Sequence, residues 1–385
     1  MQIRYFDHAA SSWPKPPAVV EAMKHCLEDY GANPGRGSHK MAVRASRALF
    51  ETRNHLSQLF NIHNPNDICF SLNTSMALNQ AIKGFLKPGD HVISTSIEHN
   101  SVRRPLEFLR SKIGIEVTYL KTDEKGLLDP MQVQSAMNCQ TKLVVSTHGS
   151  NLLGSIIPIA DIADITHRSG ARLLVDAAQT AGTIEIDIET LGIDMLAFPG
   201  HKGLLGPQGT GGLYIHPDLE LEPFIHGGTG SKSEDVDMPH IRPDRYEGGT
   251  PNTVGIAGLN EGVKFVLNET VHKIHNKEWE LTQHLMSGLL SIADIRILGP
   301  DLNEDRTGIV AFVIPHIDAS EMSFILDQSF NIAVRAGYHC APLAHETAGT
   351  LTEGAVRASV GYSTTQEDVE YLIAAVKEIV RHYRK

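Results

Sequence analysis

The sequence predicts an α/β protein: a mostly parallel sheet flanked by helices, followed by a smaller C-terminal α+β unit. Three observations lead there. Between residues 67 and 215, short apolar runs alternate with helical patterns, the arrangement of parallel strands joined by helical crossovers. A long helical region then covers 254–292. Beyond it lie a strand, a helix, a second strand running into a loop, and a closing amphipathic helix. The 385 residues are enough for about two domains.

The chain opens with Tyr5-Phe6-Asp7-His8-Ala9-Ala10-Ser11, and Pro14, Pro16 and Pro17 mark an irregular lead-in. A helix is expected over 17–30, because proline suits a first helical turn and Gly31 follows the end. Asn33-Pro34-Gly35-Arg36-Gly37-Ser38-His39 is either a plain linker or an arm that brings Asn33, Arg36 and His39 over a ligand. A second helix is expected over 43–60. Strands are expected at 67–70, 91–94, 115–119, 143–146, 172–175, 195–198, 213–215 and 309–314. The polar turn 71–75 precedes a helix opening at Met76. Hydroxyls and free N–H groups there suit a phosphate, although Ser and Thr are also ordinary caps. Residues 158–167 have helical spacing and stop at Gly170; 318–326 form another helix. Residues 332–341 pass from strand into loop. Thr364 with Glu367 fits a capping box, and Val369, Leu372, Ile373, Val376, Ile379 and Val380 form the stripe of the last helix.

Composition is ordinary for a soluble globular protein, 41% hydrophobic and 21% charged. The net charge of −11 argues against a nucleic-acid surface. No apolar run reaches the length of a membrane span, and the first residues show no signal-peptide core. Cys26, Cys69, Cys139 and Cys340 are too irregularly spaced for a disulfide framework or a zinc site, so a reducing, cytoplasmic setting is expected. The 20 histidines show no metal-ligand spacing, and no metal site is expected.

The chemistry centres on Gly200-His201-Lys202. An apolar run leads in, and the glycine-rich turn 206–212 leads out. Burial disfavours the ammonium form, and a neutral amine can form a Schiff base with an aldehyde. A lone lysine beside a turn is more often solvated. The surroundings strengthen the reactive reading, because ligands of parallel sheets bind beyond the carboxyl ends of the strands. The polar residues collected there are Thr74 and Ser75; Glu98, His99 and Asn100; His148 and Asn151; Asp176 and Gln179; His201 and Lys202. A carboxylate at the end of an apolar strand, such as Asp176, needs a partner, and a pyridinium N–H would supply one.

Four stretches in register carry a resemblance: Val175-Asp176-Ala177-Ala178-Gln179, Gly200-His201-Lys202, Gly249-Thr250-Pro251-Asn252-Thr253 and Arg335-Ala336-Gly337-Tyr338-His339-Cys340-Ala341. Over nearly its whole length the chain resembles fold-type I pyridoxal 5'-phosphate (PLP) enzymes of the class V aminotransferase family. Within them it is most similar to the type II cysteine desulfurases and selenocysteine lyases. The resemblance implies a large PLP-binding domain over 15–260, with a mostly parallel seven-stranded sheet. It also implies a small C-terminal domain over 261–385, with residues 1–14 packing on it.

The same resemblance implies the site. PLP would be held as a covalent aldimine on Lys202, with Asp176 on the ring nitrogen, Gln179 on the phenolic oxygen and His99 stacked on the ring. Thr74, Ser75 and His201 would bind the phosphate, and Thr250 would reach the phosphate of a neighbouring subunit, implying a homodimer. Asn151 and Arg357 would hold the substrate carboxylate, with Asn33, His39 and Arg335 nearby. Cys340 would take the sulfur as a persulfide and pass it to an acceptor protein, as in iron–sulfur cluster assembly. Two departures stand out. Pro199 replaces the usual Ser or Thr two residues before the His-Lys pair and lacks both a hydroxyl and an N–H. Tyr338 stands where many relatives have His.

The implied reaction converts L-cysteine to L-alanine. Buried inertness is the commonest fate of a free cysteine, but the polar Gly-Tyr-His loop before Cys340 favours a reactive thiol, and only the thiolate is a good nucleophile. Cys26, Cys69 and Cys139 read as structural. Selenocysteine lyase activity, another reaction of this enzyme family and a non-catalytic scaffold are the alternatives.

Overall fold

The computed structural model describes residues 3–35 and 37–383. The first half contains β1 (Arg4–Tyr5), α1 (Pro17–His25), α2 (Lys40–Phe60), β2 (Ile68–Ser71), α3 (Thr74–Phe85), β3 (His91–Thr95), α4 (Asn100–Ile113), β4 (Glu116–Leu120), α5 (Pro130–Ala136), β5 (Thr141–Thr147), α6 (Ile159–Arg168), β6 (Arg172–Asp176), β7 (Met195–Pro199) and β8 (Gly211–Ile215). The second half adds α7 (Thr253–Glu269), α8 (Val271–Leu290), β9 (Arg296–Leu298), β10 (Ile309–Val313), α9 (Ala319–Phe330), β11 (Ile332–Ala333), β12 (Arg335–Gly337), α10 (Pro342–Thr347), β13 (Ala355–Ser359) and α11 (Gln366–Tyr383).

Seven strands form one sheet in the order β2-β8-β7-β6-β5-β3-β4. All neighbours run parallel except β8, which is antiparallel to both β2 and β7. The period of two divides each strand between two cores. Leu173, Val175, Leu196 and Phe198 face a layer with Ile162 of α6 and Leu259 and Val263 of α7. Leu174, Met195 and Ala197 face the other layer, with Leu78 of α3 and Leu106 of α4. Helices on both faces explain why these strands read as unbroken apolar runs.

A second, antiparallel sheet has the order β12-β13-β10-β9. Its apolar face packs on α8, α9 and α11 through Leu285, Met322, Leu326, Leu372 and Val376. The N-terminal segment joins this unit. β1 pairs with β11, and Arg4 bonds Asp368 and Glu367 of α11.

Several expected boundaries move for local reasons. α2 opens at Lys40 because the His39 side chain accepts from the Ala42 N–H and caps the helix. α3 opens at Thr74 because Asn73 accepts from the Met76 N–H. The helix expected over 17–30 ends its regular part at His25 and closes in a wider turn, Cys26–Tyr30. The helical region 254–292 is two helices broken at Thr270, whose φ is 69°. The expected division after residue 260 therefore falls inside α7. The cap of α11 is the reciprocal pair Thr365 and Asp368, while Thr364 is buried and bonds the Gly361 N–H. The run 332–341 contains two short strands that pair with different partners.

Arg306 ties the two sheets together. It is 0% exposed, and its guanidinium donates to the carbonyls of Pro300, Ile309, Leu298 and, from the loop after β5, Leu153. The closeness of that loop is visible at Gly299, where a Cβ would lie 1.8 Å from the Leu153 carbonyl oxygen. Replacing Arg306 with Ala leaves these buried carbonyls without donors. It should destabilise the protein by about 3 kcal/mol, read in urea as a lower midpoint at unchanged slope.

Candidate active site

The loops after β3, β5, β6 and β7 meet the start of α3 and the segment following β12 around a cavity of about 220 Å³. Each strand delivers its next polar residues to the same end of the sheet, which is why side chains far apart in sequence converge. Eleven of the residues singled out in the sequence line this cavity: Thr74, Ser75, His99, Asn151, Asp176, Gln179, His201, Lys202, Arg335, Cys340 and Arg357.

Lys202 and Asp176 set its electrostatics. Burial pushes the Lys202 ammonium down to about 8, with the positive charge of Arg357 adding to the fall and Asp176 opposing it. Burial lifts Asp176 to about 6, against the Ala178 N–H on its Oδ1 and the charge of Lys202. The His201-Lys202 backbone is held from outside the sheet. The Ser12 hydroxyl donates to the Lys202 carbonyl at 2.8 Å, and Lys15 Nζ donates to the His201 carbonyl at 2.9 Å.

The histidines of the cavity are neutral. Burial, reinforced by Lys202, lowers both His99 and His201 to about 4. The Ser101 N–H donates to His99 Nδ1 at 3.0 Å, so the ring carries its proton on Nε2. The Ser101 hydroxyl lies 2.6 Å from that of Ser75 and 2.8 Å from His99 Nδ1. This links the α3 start to the α4 start.

Arg357 sits in the middle of β13, 2% exposed. It donates to the Asn151 carbonyl at 2.9 Å and to Asp7 Oδ1 at 3.0 Å, while its Nε is buried without a partner. Asn151 in turn donates to the His339 carbonyl at 2.6 Å, and its own Oδ1 is unpartnered. The Cys340 carbonyl accepts from the Asn100 N–H at 2.8 Å. Two carbonyl anchors thus fix the loop, and both His339 and Cys340 adopt left-handed backbone, φ 51° and 57°. That turn buries His339 and leaves Cys340 exposed. Cys26 and Cys69 are buried, as expected of structural thiols; Cys139 is exposed in a turn, and burial gives it no structural role.

Asn33 and His39, expected near the substrate, lie elsewhere, and Thr250, expected at a neighbouring subunit's phosphate, is also outside this cavity. Asn33 and Thr250, both exposed, line a separate cavity of about 210 Å³ with Arg53 and Glu247. His39 caps α2 through its ring nitrogen. Arg36, expected on the same arm, lies outside the described residues. Of the residues collected at the strand ends, Glu98 and His148 are buried beneath the cavity and do not line it. Sequence reading missed Ser101, Asp7, Ser12 and Lys15. Ser101 had a signal, a hydroxyl two residues past His99 at a helix start. The other three had none, because their partners lie between 186 and 350 residues away.

A sequence profile described as aminotransferase class-V matches residues 4–372. The chain belongs to the aminotransferase class-V family. Among class-V relatives, a probable cysteine desulfurase of Methanothermobacter thermautotrophicus is 38% identical, over 97% of this chain and 94% of its own length. The apo structure of a cysteine desulfurase from Thermococcus onnurineus NA1 superposes with a TM-score of 0.93 at 33% identity, covering 99% of this chain and 95% of that one. The cysteine desulfurase CsdA of Escherichia coli, in an S-sulfonic acid form, superposes with a TM-score of 0.89 at 26% identity, covering 98% and 95%.

The family implies PLP, and the residues present fit it. Asp176 is a buried carboxyl that a ring N–H would pair. Lys202 is an amine that gives up its proton near pH 8, well below an ordinary lysine. The first turn of α3 offers N–H groups and two hydroxyls to a phosphate. His201 Nδ1 and Arg357 Nε are buried polar atoms awaiting partners. Capture of PLP by the cofactor-free protein should therefore rise with pH to a plateau, with a midpoint near 8 instead of 10.5. Asp176→Asn removes the charge that favours the ammonium, so its midpoint should lie lower still. Stopped-flow absorbance across pH 6–10 measures both.

Proposed function

We propose that the protein is a PLP-dependent cysteine desulfurase that converts L-cysteine to L-alanine, with the sulfur passing to Cys340 as a persulfide and then to an acceptor. One observation carries this reading. An exposed cysteine on a doubly anchored turn lines the same cavity as Lys202 and the buried Asp176. Reactions of the family that move no sulfur need no thiol there.

PLP supplies the electron sink that weakens bonds around the substrate Cα and Cβ. The chain's residues do the rest. Lys202 would be the attachment point, and its Nζ would hold and move the proton of the substrate Cα. Asp176 would keep a proton on the ring nitrogen. Gln179 would take the phenolic oxygen and His99, as a neutral imidazole, the ring face. Thr74, Ser75 and His201 would take the phosphate, and the Ser101 hydroxyl beside Ser75 would replace the one lost at Pro199. Arg357, through its free Nε, and Asn151 would take the substrate carboxylate, with Arg335 also lining the cavity. The Cys340 thiolate would bond to the substrate sulfur as the C–S bond breaks, the electron pair passing to the carbon side, where protonation completes alanine.

The separate cavity holding Asn33 and Thr250 supports a homodimer in which these residues complete the partner's site. Exposed Val20, Leu27, Val43 and Phe50 on the neighbouring helices α1 and α2 and the turn after α1 support the same reading. We place the protein in the cytoplasm on its cysteine pattern, with an acceptor protein docking at the Tyr338–Cys340 turn, where Tyr338 is half exposed.

Cys340→Ala should keep the PLP absorption band but lose alanine release from L-cysteine by about 100-fold or more, the loss expected when a nucleophile is removed. Lys202→Ala should lose the band that borohydride fixes. Alanine release from L-cysteine that survives in Cys340→Ala would sink the persulfide reading. Release from L-selenocysteine alone in that variant would mark selenium as a substrate that needs no thiol.

A further inference from the structure

Glu98 follows the β3 strand and is fully buried, 0% exposed. Its Oε1 accepts from the Thr95 hydroxyl at 2.7 Å and from the Thr147 N–H at 2.9 Å. Its Oε2 is buried and has no partner. Thr147 is paired with Asp176 across β5 and β6, and the next N–H, that of His148, donates to the Asp176 carbonyl at 2.9 Å. Two carboxyl residues, Glu98 and Asp176, are thus fastened to the same end of β5 in a buried layer.

Two like charges in such a layer do not both persist; one group keeps its proton. Asp176 has Lys202 and the Ala178 N–H to stabilise its charge. Among the described residues, Glu98 forms no ion pair with a cation. We propose that Glu98 is a positioning residue that acts through Asp176: it is held as a neutral acid beneath the site, and its proton is linked to whether Asp176 is paired with a ring N–H. The proposal rests on the reading that a PLP ring nitrogen meets Asp176.

The electrostatics agree. Burial raises Glu98 to about 8, its hydrogen bonds from Thr147 and Thr95 pull against that rise, and the charge of Asp176 adds to it. Titratable groups facing Glu98 are few. Tyr119 of β4 is raised, by burial and by its bond to Glu107, and stays neutral. His99, next in the chain, is neutral as well.

The linkage has a definite sign. A pyridinium on Asp176 cancels the charge that holds the Glu98 proton, so ring binding lowers the Glu98 pKa. The proton leaves the Glu98 carboxyl for solvent water, a carboxylate remains, and no other bond changes. By reciprocity, ionised Glu98 tightens ring binding. Below the Glu98 range the effect is absent, and it grows as pH rises through about 8.

The probe is 4-deoxypyridoxine 5'-phosphate, which has the ring and phosphate but no aldehyde, added to the full chain freed of cofactor. Its Kd is measured for wild type and Glu98→Gln at pH 7 and pH 9. Ring and phosphate titrations are common to both proteins, so the ratio of Kd values isolates Glu98. That ratio, variant over wild type, should rise by about three- to tenfold between the two pH values, the effect of one charge at several ångströms. A ratio that does not change with pH overturns the proposal while leaving the cofactor reading intact. A probe that fails to bind wild type overturns both.

A second variant decides the matter even if Glu98→Gln does not fold. Infrared titration of the protonated-carboxyl band in the cofactor-free protein should find part of that band shifted to lower pH in Asp176→Asn, by about one unit. Glu278, a second buried carboxyl raised to about 8 and lining a different cavity, serves as the unshifted reference. A band that titrates identically in wild type and Asp176→Asn overturns the coupling.

Discussion

A lysine and an aspartate share one cavity, and the rest of the site answers to that constraint. Burial pushes each toward its neutral form, and their opposite charges hold both back. The result is an ammonium that gives up its proton near pH 8 beside a carboxyl that still favours charge. Histidines around such a pair cannot carry charge without cost, and the cavity keeps them neutral. Glu98, which forms no ion pair among the described residues, is raised by burial to about 8 and takes the opposite choice from Asp176 although both are buried carboxyls.

Holding that arrangement takes contacts from every part of the chain. Asp7, Ser12 and Lys15 reach in from the N-terminal segment to Arg357, Lys202 and His201. Asn151 and Asn100 come from the first sheet to grip the carbonyls of the Cys340 turn. Arg306 joins the two sheets through backbone carbonyls. The bonds of Asp7, Ser12, Lys15, Asn100 and Asn151, and that of Arg306 to Leu153, cross between units that fold from distant sequence, so the geometry of the cavity is a property of their packing.

Much of the fold was legible because its signals are local. Leu173, Leu174 and Val175 read as a buried strand whichever neighbours it finds, and so do the runs that became β3, β5 and β7. The misses have physical causes. β13 was hidden because Arg357 interrupts an Ala-Val-Ser run, and an arginine buried at 2% exposure contradicts any reading from hydropathy. The break at Thr270 was hidden because the pattern on either side is helical and only the backbone turns. His39 and Asn73 extended their helices by acting as caps, a role that polar residues at a loop end also decline.

At the site, residue types and their order along the chain already carried the chemistry available: a lysine, a carboxylate and hydroxyls after consecutive strands, and a cysteine in a polar turn. The period of two in each strand and the rule that loops collect at one end of a parallel sheet were enough to bring these together. Packing over the whole chain settled which side chains share the cavity and which do not. Asn33, His39 and Thr250 fall outside it, Ser101 falls inside, and Glu98 lies below. The reason is that a residue's neighbours across 150 or more positions of chain leave no periodic mark in sequence, whereas burial, charge and hydrogen bonding act on those neighbours directly.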